Sequence, residues 1–170
     1  GDEVIVTPNT FIATTLVILK EGGVPVYADI DPRTFNISPA EIEKKVTPKT
    51  KAIYVVHYGG QMCDMDPIME IARKHGLLVL EDCAHTPGAT YKGRKAGTIG
   101  DVGCFSFHSL KNMTTCGEGG MITTNRDDFV EPISKRRCMN VRDWENQTEY
   151  WGPSHFDVDD ICGYWGNNYR

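Results

Sequence analysis

No run of apolar residues in the chain approaches the roughly 20 needed for a helix to cross a bilayer. The longest, such as AIYVV (52–56) and LLVL (77–80), have the length of buried strands. An excess of positive charge is missing too. With 18 Lys and Arg against 23 Asp and Glu, interspersed, the net charge is -5, which leaves no basic stripe for nucleic acid or for an anionic membrane surface. The six cysteines, Cys63, Cys83, Cys104, Cys116, Cys138 and Cys162, contain no C-x-x-C pair. Without a secretory context they read as reduced, mostly buried thiols of a cytosolic protein. The opening GDEVIV has neither a basic start nor an apolar stretch, so no targeting signal is visible. FDVDD offers Asp157, Asp159 and Asp160 but lacks the spacing and glycine of a calcium loop. It reads as a solvated acidic turn, and no metal is expected.

What is there is an ordinary globular composition, 40% apolar and 24% charged over 170 residues, enough for one domain with a core. The chain has no initiating Met, opens on Gly-Asp before a strand-like run and stops at GNNYR without a closing element, so it reads as a piece that begins and ends mid-fold. Strand-like runs EVIV (3–6), PVYADI (25–30), KAIYVVH (51–57) and LLVLED (77–82) alternate with helical stretches near 11–21, 39–46 and 67–74. Crossovers of that length predict an α/β fold, three layers deep, with helices on both faces of a largely parallel sheet. Ser38, Pro39 and Glu41 suggest an N-cap, a first-turn proline and a capping-box acid, while Gly22–Gly23 and Gly76 suggest helix ends. VGCFSF (102–107) and GGMITT (119–124) follow with only turns between them, so the sheet becomes mixed there. After a helix near 126–138, regular periodicity is lost from Met139 to Gly166. The expected division is a core over 1–140 and an irregular substrate or interface loop over 141–170.

In parallel α/β sheets the ligand sits beyond the carboxyl ends of the strands. That places Thr7 to Phe11, Asp29 to Asp31, His57 to Gln61, Asp82 to His85 and Ser106 to Lys111 on one edge. Asp82 is either a turn cap or a carboxylate for a cationic nitrogen such as a pyridinium, which would strengthen the electron sink of pyridoxal phosphate (PLP). His85 is either a surface imidazole or a ring laid on a flat ligand. Lys111 stands between a strand and the glycines 117, 119 and 120. A lysine amine is nucleophilic only when neutral, which desolvation or a nearby cation favours; the alternative is a solvated lysine in a hairpin. Ser106 either donates to a phosphate or bonds to backbone within the strand.

The stretch EDCAHTPGATYKGRKAGTIGDVGCFSFHSLKNMTTCGEGGMITTN (81–125) resembles the signature region of the DegT/DnrJ/StrS family of PLP-dependent sugar aminotransferases. These have the fold type I architecture of aspartate aminotransferase. Their pattern runs E-D-x-A-(H/Q)-x-x-G, G-D, S-F-x-x-x-K and G-x-G-G. The flanks GDEVIVTPNTFIAT, PVYADIDPRTFNI, TKAIYVVHYGGQMCDMDPI and GNNYR follow in the family's order, so the likeness covers nearly the whole chain.

The resemblance implies a role for each matching residue. Lys111 carries the Schiff base with PLP and shuttles the proton that moves during transamination. Asp82 pairs with the pyridinium nitrogen, His85 stacks on or beside the ring, Ser106 helps hold the phosphate and Phe11 flanks the ring on its other side. Asn168, in the N-Y-R run, reaches the phosphate of a neighbouring subunit's cofactor, which implies a homodimer. The implied reaction moves an amino group, with glutamate as donor, to a nucleotide-linked ketosugar in the cytoplasm, with pyridoxamine phosphate as the intermediate form of the cofactor. Two alternatives stand beside it: a dehydratase of the same family, in which histidine replaces the lysine, and a non-catalytic PLP-binding relative. Lys111 favours the aminotransferase. His57 and His108 fall near the site by position and receive no role. The family's phosphate-binding helix and its C-terminal small domain have no counterpart in these residues, so weak PLP binding and no turnover are expected of them alone.

Overall fold

The computed structural model describes residues 1–137. Residues 1–125 form one compact unit, and a second begins at Arg126, where helix α4 spans Asp127–Arg137. The boundary expected at 140–141 lies outside the described residues.

Six strands make one sheet: β1 (Glu3–Val6), β2 (Val24–Tyr27), β3 (Thr50–Val56), β4 (Leu78–Asp82), β7 (Val102–Ser106) and β8 (Gly120–Thr124), in the spatial order β2-β1-β3-β4-β7-β8. All neighbours are parallel except β8, which runs antiparallel to β7 at the edge. The α/β layering and the change to a mixed sheet are as the sequence implies. The chain adds β2 on one side of β1 and β3 on the other, so the order reverses between β1 and β3. A reversal of that kind opens a crevice at the carboxyl ends of the strands.

Helix α1 (Ala13–Lys20) connects β1 to β2, α2 (Pro39–Lys45) connects β2 to β3, and α3 (Met65–His75) connects β3 to β4. Side chains alternate across a strand, and the main core uses one parity: Ile5, Ile53, Val55 and Val79 pack with Ile42 of α2 and with Ile68 and Ala72 of α3. Helix α1 lies over the opposite face, where its Thr14 hydroxyl reaches Asp82. Three helix termini bear out their signals, with Pro39 in the first turn of α2 and the glycines 22–23 and 76 closing α1 and α3. The capping box does not form. Ser38 makes no side-chain cap bond, and Glu41 turns outward to Lys44 Nζ at 2.6 Å.

A two-stranded hairpin, β5 (Thr90–Tyr91) with β6 (Arg94–Lys95), is too short to have shown in the sequence pattern. It docks on the start of α3 through Tyr91 Oη to Asp64 (2.5 Å) and through Lys92 and Arg94 to Asp66. Between this hairpin and β7 the backbone folds back tightly against the sheet. A Cβ on Gly103 would stand 2.5 Å from Thr123 Oγ1 and 2.7 Å from the Gly97 carbonyl oxygen. Backbone cannot rotate away as a side-chain tip can, so Gly103→Ala should destabilise the fold by about 1–3 kcal/mol. A lowered urea midpoint would register this; an unchanged one would mean that strand and loop part freely.

Among the described residues, Cys63 and Cys83 are buried, Cys104 is half-buried and Cys116 is exposed, all as free thiols. Cys116 departs from the expectation of burial because it sits in the turn ahead of β8 at φ 58. No helix among the described residues is long and apolar enough to cross a membrane.

Candidate active site

The adjacent acids of β4 leave the strand on opposite faces. Glu81 shares the parity of Val79 and is fully buried beneath the core. Its Oε1 accepts the N–H groups of Ile99 (2.8 Å) and Gly100 (2.6 Å), and its Oε2 accepts that of Gly97 (3.1 Å). The same Oε2 lies 3.0 Å from His57 Nε2. Because His57 Nδ1 accepts the Cys63 N–H at 3.1 Å, the ring proton sits on Nε2 and donates to Glu81. Burial alone would raise the carboxyl pKa, but His57 and the three N–H donors together hold it below the ordinary range. His57, Glu81 and Cys83 bring ligand-type atoms within 4.8 Å of one another, yet hydrogen bonds already occupy both ring nitrogens and both carboxylate oxygens. The histidine that sequence position placed near the site is therefore a scaffold residue.

Asp82 projects from the other face, level with Val56 of β3 and Cys104 of β7. Its Oδ1 accepts the Ala84 N–H (3.0 Å), the turn-cap bond foreseen as one of its two readings. Its Oδ2 accepts the Thr14 hydroxyl (3.2 Å), and the Thr10 hydroxyl stands 2.8 Å from that of Thr14. Thr14 of α1, itself met by Thr10 in the loop ahead of the helix, thus steadies the carboxylate, a T-x-x-x-T spacing present in the sequence but not singled out. The neighbouring Cys104 thiol is pushed up by burial and then by the Asp82 charge, so it stays protonated beside the carboxylate.

Strand β7 parallels β4, and the loop beyond it returns towards His85. Lys111 is half-buried, its N–H is held by the His108 carbonyl (2.9 Å) and its Nζ lies 3.3 Å from His85 Nε2. His85 Nδ1 accepts the Gly59 N–H at 3.3 Å, and the Tyr58 ring meets the imidazole edge-on, with centroids 6.0 Å apart. Ser106 stands two residues past Cys104, on the same face. Its Oγ accepts the His108 N–H at 3.4 Å, a backbone bond that leaves its own O–H able to donate. Phe11, 73% exposed, sits just ahead of α1. His108 turns to Glu118, 3.3 Å away, while Asn168 and the loop from Met139 lie outside the described residues.

Asp82, His85, Ser106 and Lys111 thus stand together at the carboxyl ends of β4 and β7, with Phe11 at the corresponding end of β1. Sequence inspection missed Thr14 and Asn36, whose side chain is described below, and included Tyr58 and Gly59 only within the 57–61 edge segment. The Y-G-G run after β3 was the one available sign of the tight turn that meets His85.

Known proteins resemble the chain over most of its length. The chain is 51% identical over 153 residues to GDP-perosamine synthase of Caulobacter vibrioides, covering 90% of this chain and 40% of the relative. An aminotransferase from Psychrobacter cryohalolentis, solved by X-ray crystallography, superposes with a TM-score of 0.78 at 52% identity, over 79% of this chain and 34% of that one. NtdA from Bacillus subtilis, a crystal structure with bound cofactor PMP, gives 0.72 at 41% identity, over 77% and 29%. The chain spans about two fifths of the length of the curated relatives it matches. The family model described as DegT/DnrJ/EryC1/StrS aminotransferase matches residues 1–170, and the chain belongs to that family.

Proposed function

We propose that this chain supplies the cofactor-binding part of a PLP-dependent aminotransferase that aminates a keto group on a nucleotide-linked sugar. The observation that carries the reading is the pairing of Lys111 Nζ with His85 Nε2 at 3.3 Å, at the strand ends where Asp82 also stands. Named relatives support it, since GDP-perosamine synthase and a solved aminotransferase are identical to this chain at about half of the aligned residues.

The donor set fits the cofactor. Asp82 offers a carboxylate already oriented by Thr14 and Ala84, suited to a pyridinium N–H. Ser106 offers a hydroxyl for the phosphate, His85 and Phe11 offer flat surfaces for the ring, and Asn168 is assigned to the phosphate of a second copy's cofactor, making the functional unit a homodimer. When bound, PLP supplies an aldehyde carbon that amines attack and a ring that withdraws electrons from it. Lys111 Nζ would hold the cofactor and, once free, would be the group that takes and returns the proton of the amino donor, glutamate. Asp82 keeps the ring nitrogen protonated, and His85 keeps Nζ aimed.

Full-length protein incubated with PLP, glutamate and a panel of nucleotide ketosugars should release 2-oxoglutarate over many turnovers only when both substrates are present, glutamate alone giving a single stoichiometric release. Absence of release across the panel, with PLP bound, would favour the non-catalytic alternative.

A further inference from the structure

Asn36 is 3% exposed and lies in the loop between β2 and α2. Both ends of its amide are used. Its Oδ1 accepts the Tyr58 N–H at 2.8 Å, and its Nδ2 donates to the Gln61 carbonyl at 3.0 Å. The one side chain therefore grips both ends of the turn that follows β3. Inside that turn Gly59 takes φ 61, a left-handed conformation that suits glycine, and its N–H meets His85 Nδ1. The loop bearing Asn36 is fixed in its turn. Phe35 holds a left-handed φ of 59, its carbonyl accepts Asn9 Nδ2 at 3.0 Å, and Ile30 bridges to Ile37. A left-handed non-glycine residue persists only where its surroundings over-determine it, and here it sits next to the side chain that faces inward.

A neutral imidazole has one donor nitrogen and one acceptor nitrogen. With Nδ1 accepting from Gly59, the proton of His85 belongs on Nε2, the atom 3.3 Å from Lys111 Nζ. We propose that Asn36 is a positioning residue for Lys111: by clamping the Tyr58–Gln61 turn it aims the Gly59 N–H at His85 Nδ1, which places the ring proton on Nε2 facing Nζ. The Nε2–H can then donate to Nζ when that amine is neutral, holding the Lys111 side chain beside the ring until the bond is released and the lone pair is free to attack a carbonyl. Bonds thus run across the sheet from the end of β1 (Asn9) through the β2 loop (Asn36), the β3 turn (Gly59) and the β4 turn (His85) to Lys111 after β7. The inference rests on the aminotransferase reading for its use, but its geometry is independent of it.

The test uses full-length protein without cofactor, labelled with nitrogen-15 in histidine, with the His85 signals assigned by their loss in His85→Gln. The expected spectrum shows His85 protonated on Nε2, and Asn36→Ala should shift it to a mixture of the two tautomers. In turnover assays Asn36→Ala should lower kcat about tenfold with KM for the ketosugar changed less than about twofold, the split expected when a proton-transfer group is misaimed but binding is intact. Asn36→Asp, which keeps the acceptor for Tyr58 but has no donor for Gln61, provides a second variant of nearly native volume and should fall between the two. His85 protonated on Nδ1 in the unaltered protein, or a tautomer unmoved in both variants, would overturn the proposal. The expected tautomers without any 2-oxoglutarate release would instead leave the relay standing and count against the aminotransferase.

Discussion

Lys111→Ala in the full-length protein should abolish the visible absorbance of lysine-bound cofactor and lower 2-oxoglutarate release by roughly 10²–10⁴-fold, the range for loss of a group that transfers a proton in the transition state. On the proposed reading the residue has two tasks, holding the cofactor and moving a proton, and the described residues around it offer no deputy for either. His85 Nε2 lies 3.3 Å from Nζ, but its Nδ1 is committed to Gly59. His108 is turned to Glu118, and the Cys104 thiol is kept protonated by burial. Lys111→Arg separates charge from nucleophilicity. A guanidinium keeps the positive charge and cannot give up its proton in a protein, so it should be as inactive as alanine while retaining affinity for the phosphate-bearing cofactor. Unchanged absorbance and turnover in Lys111→Ala would remove the central assignment.

The second large effect is on stability. Glu81→Ala should cost about 3–5 kcal/mol, the usual consequence of deleting one partner of a buried, hydrogen-bonded pair. Three N–H groups, of Gly97, Ile99 and Gly100, would lose their acceptor together, and His57 Nε2–H would lose its own. Glu81→Gln keeps the shape but turns an NH₂ group towards donors, so it too should be destabilising. The carboxylate also gives a pH signature. Its folded-state pKa lies below its unfolded value, so its contribution is complete above the unfolded value of roughly 4.3 and is lost as pH falls through the folded one. Unfolding midpoints recorded between neutrality and acid should fall on acidification, and Glu81→Gln should flatten that slope. An equal slope in variant and parent would show that other carboxylates carry the acid sensitivity.

The layering was legible in the sequence because β-branched runs and helical stretches alternate at crossover length, and Asp82, His85, Ser106 and Lys111 were legible because they fall just past strand ends. The hydrogen bonds that decide what those residues can do were not. Glu81 is the adjacent acid, yet its fate depends on the backbone at 97–100 folding back beneath β4, an approach that no local pattern encodes. His57 looks like a site residue by position, and strand parity together with the Cys63 N–H turns it inward. Ser38 has the residue type and spacing of a cap, but its helix starts without the side-chain bond. Asn36 carries no chemical motif at all, and only the tertiary fold puts its amide between Tyr58 and Gln61.

The opposed directions of Glu81 and Asp82 also bear on how this segment can change over generations. One side of β4 is answered mainly by backbone amides, which every residue but proline brings, so outside Gly97 and Gly100, where a Cβ would clash, the partners of Glu81 in the 97–100 loop survive replacement. The other side is answered by the Ala84 N–H and by one side chain, Thr14, which can be exchanged without disturbing the backbone. A single-residue insertion or deletion within Leu78–Asp82 is another matter. It would exchange the two acids, sending the longer one out and the shorter one in, and would undo scaffold and chemistry in one event. Drift in residue identity around this strand is therefore affordable, and drift in its length is not.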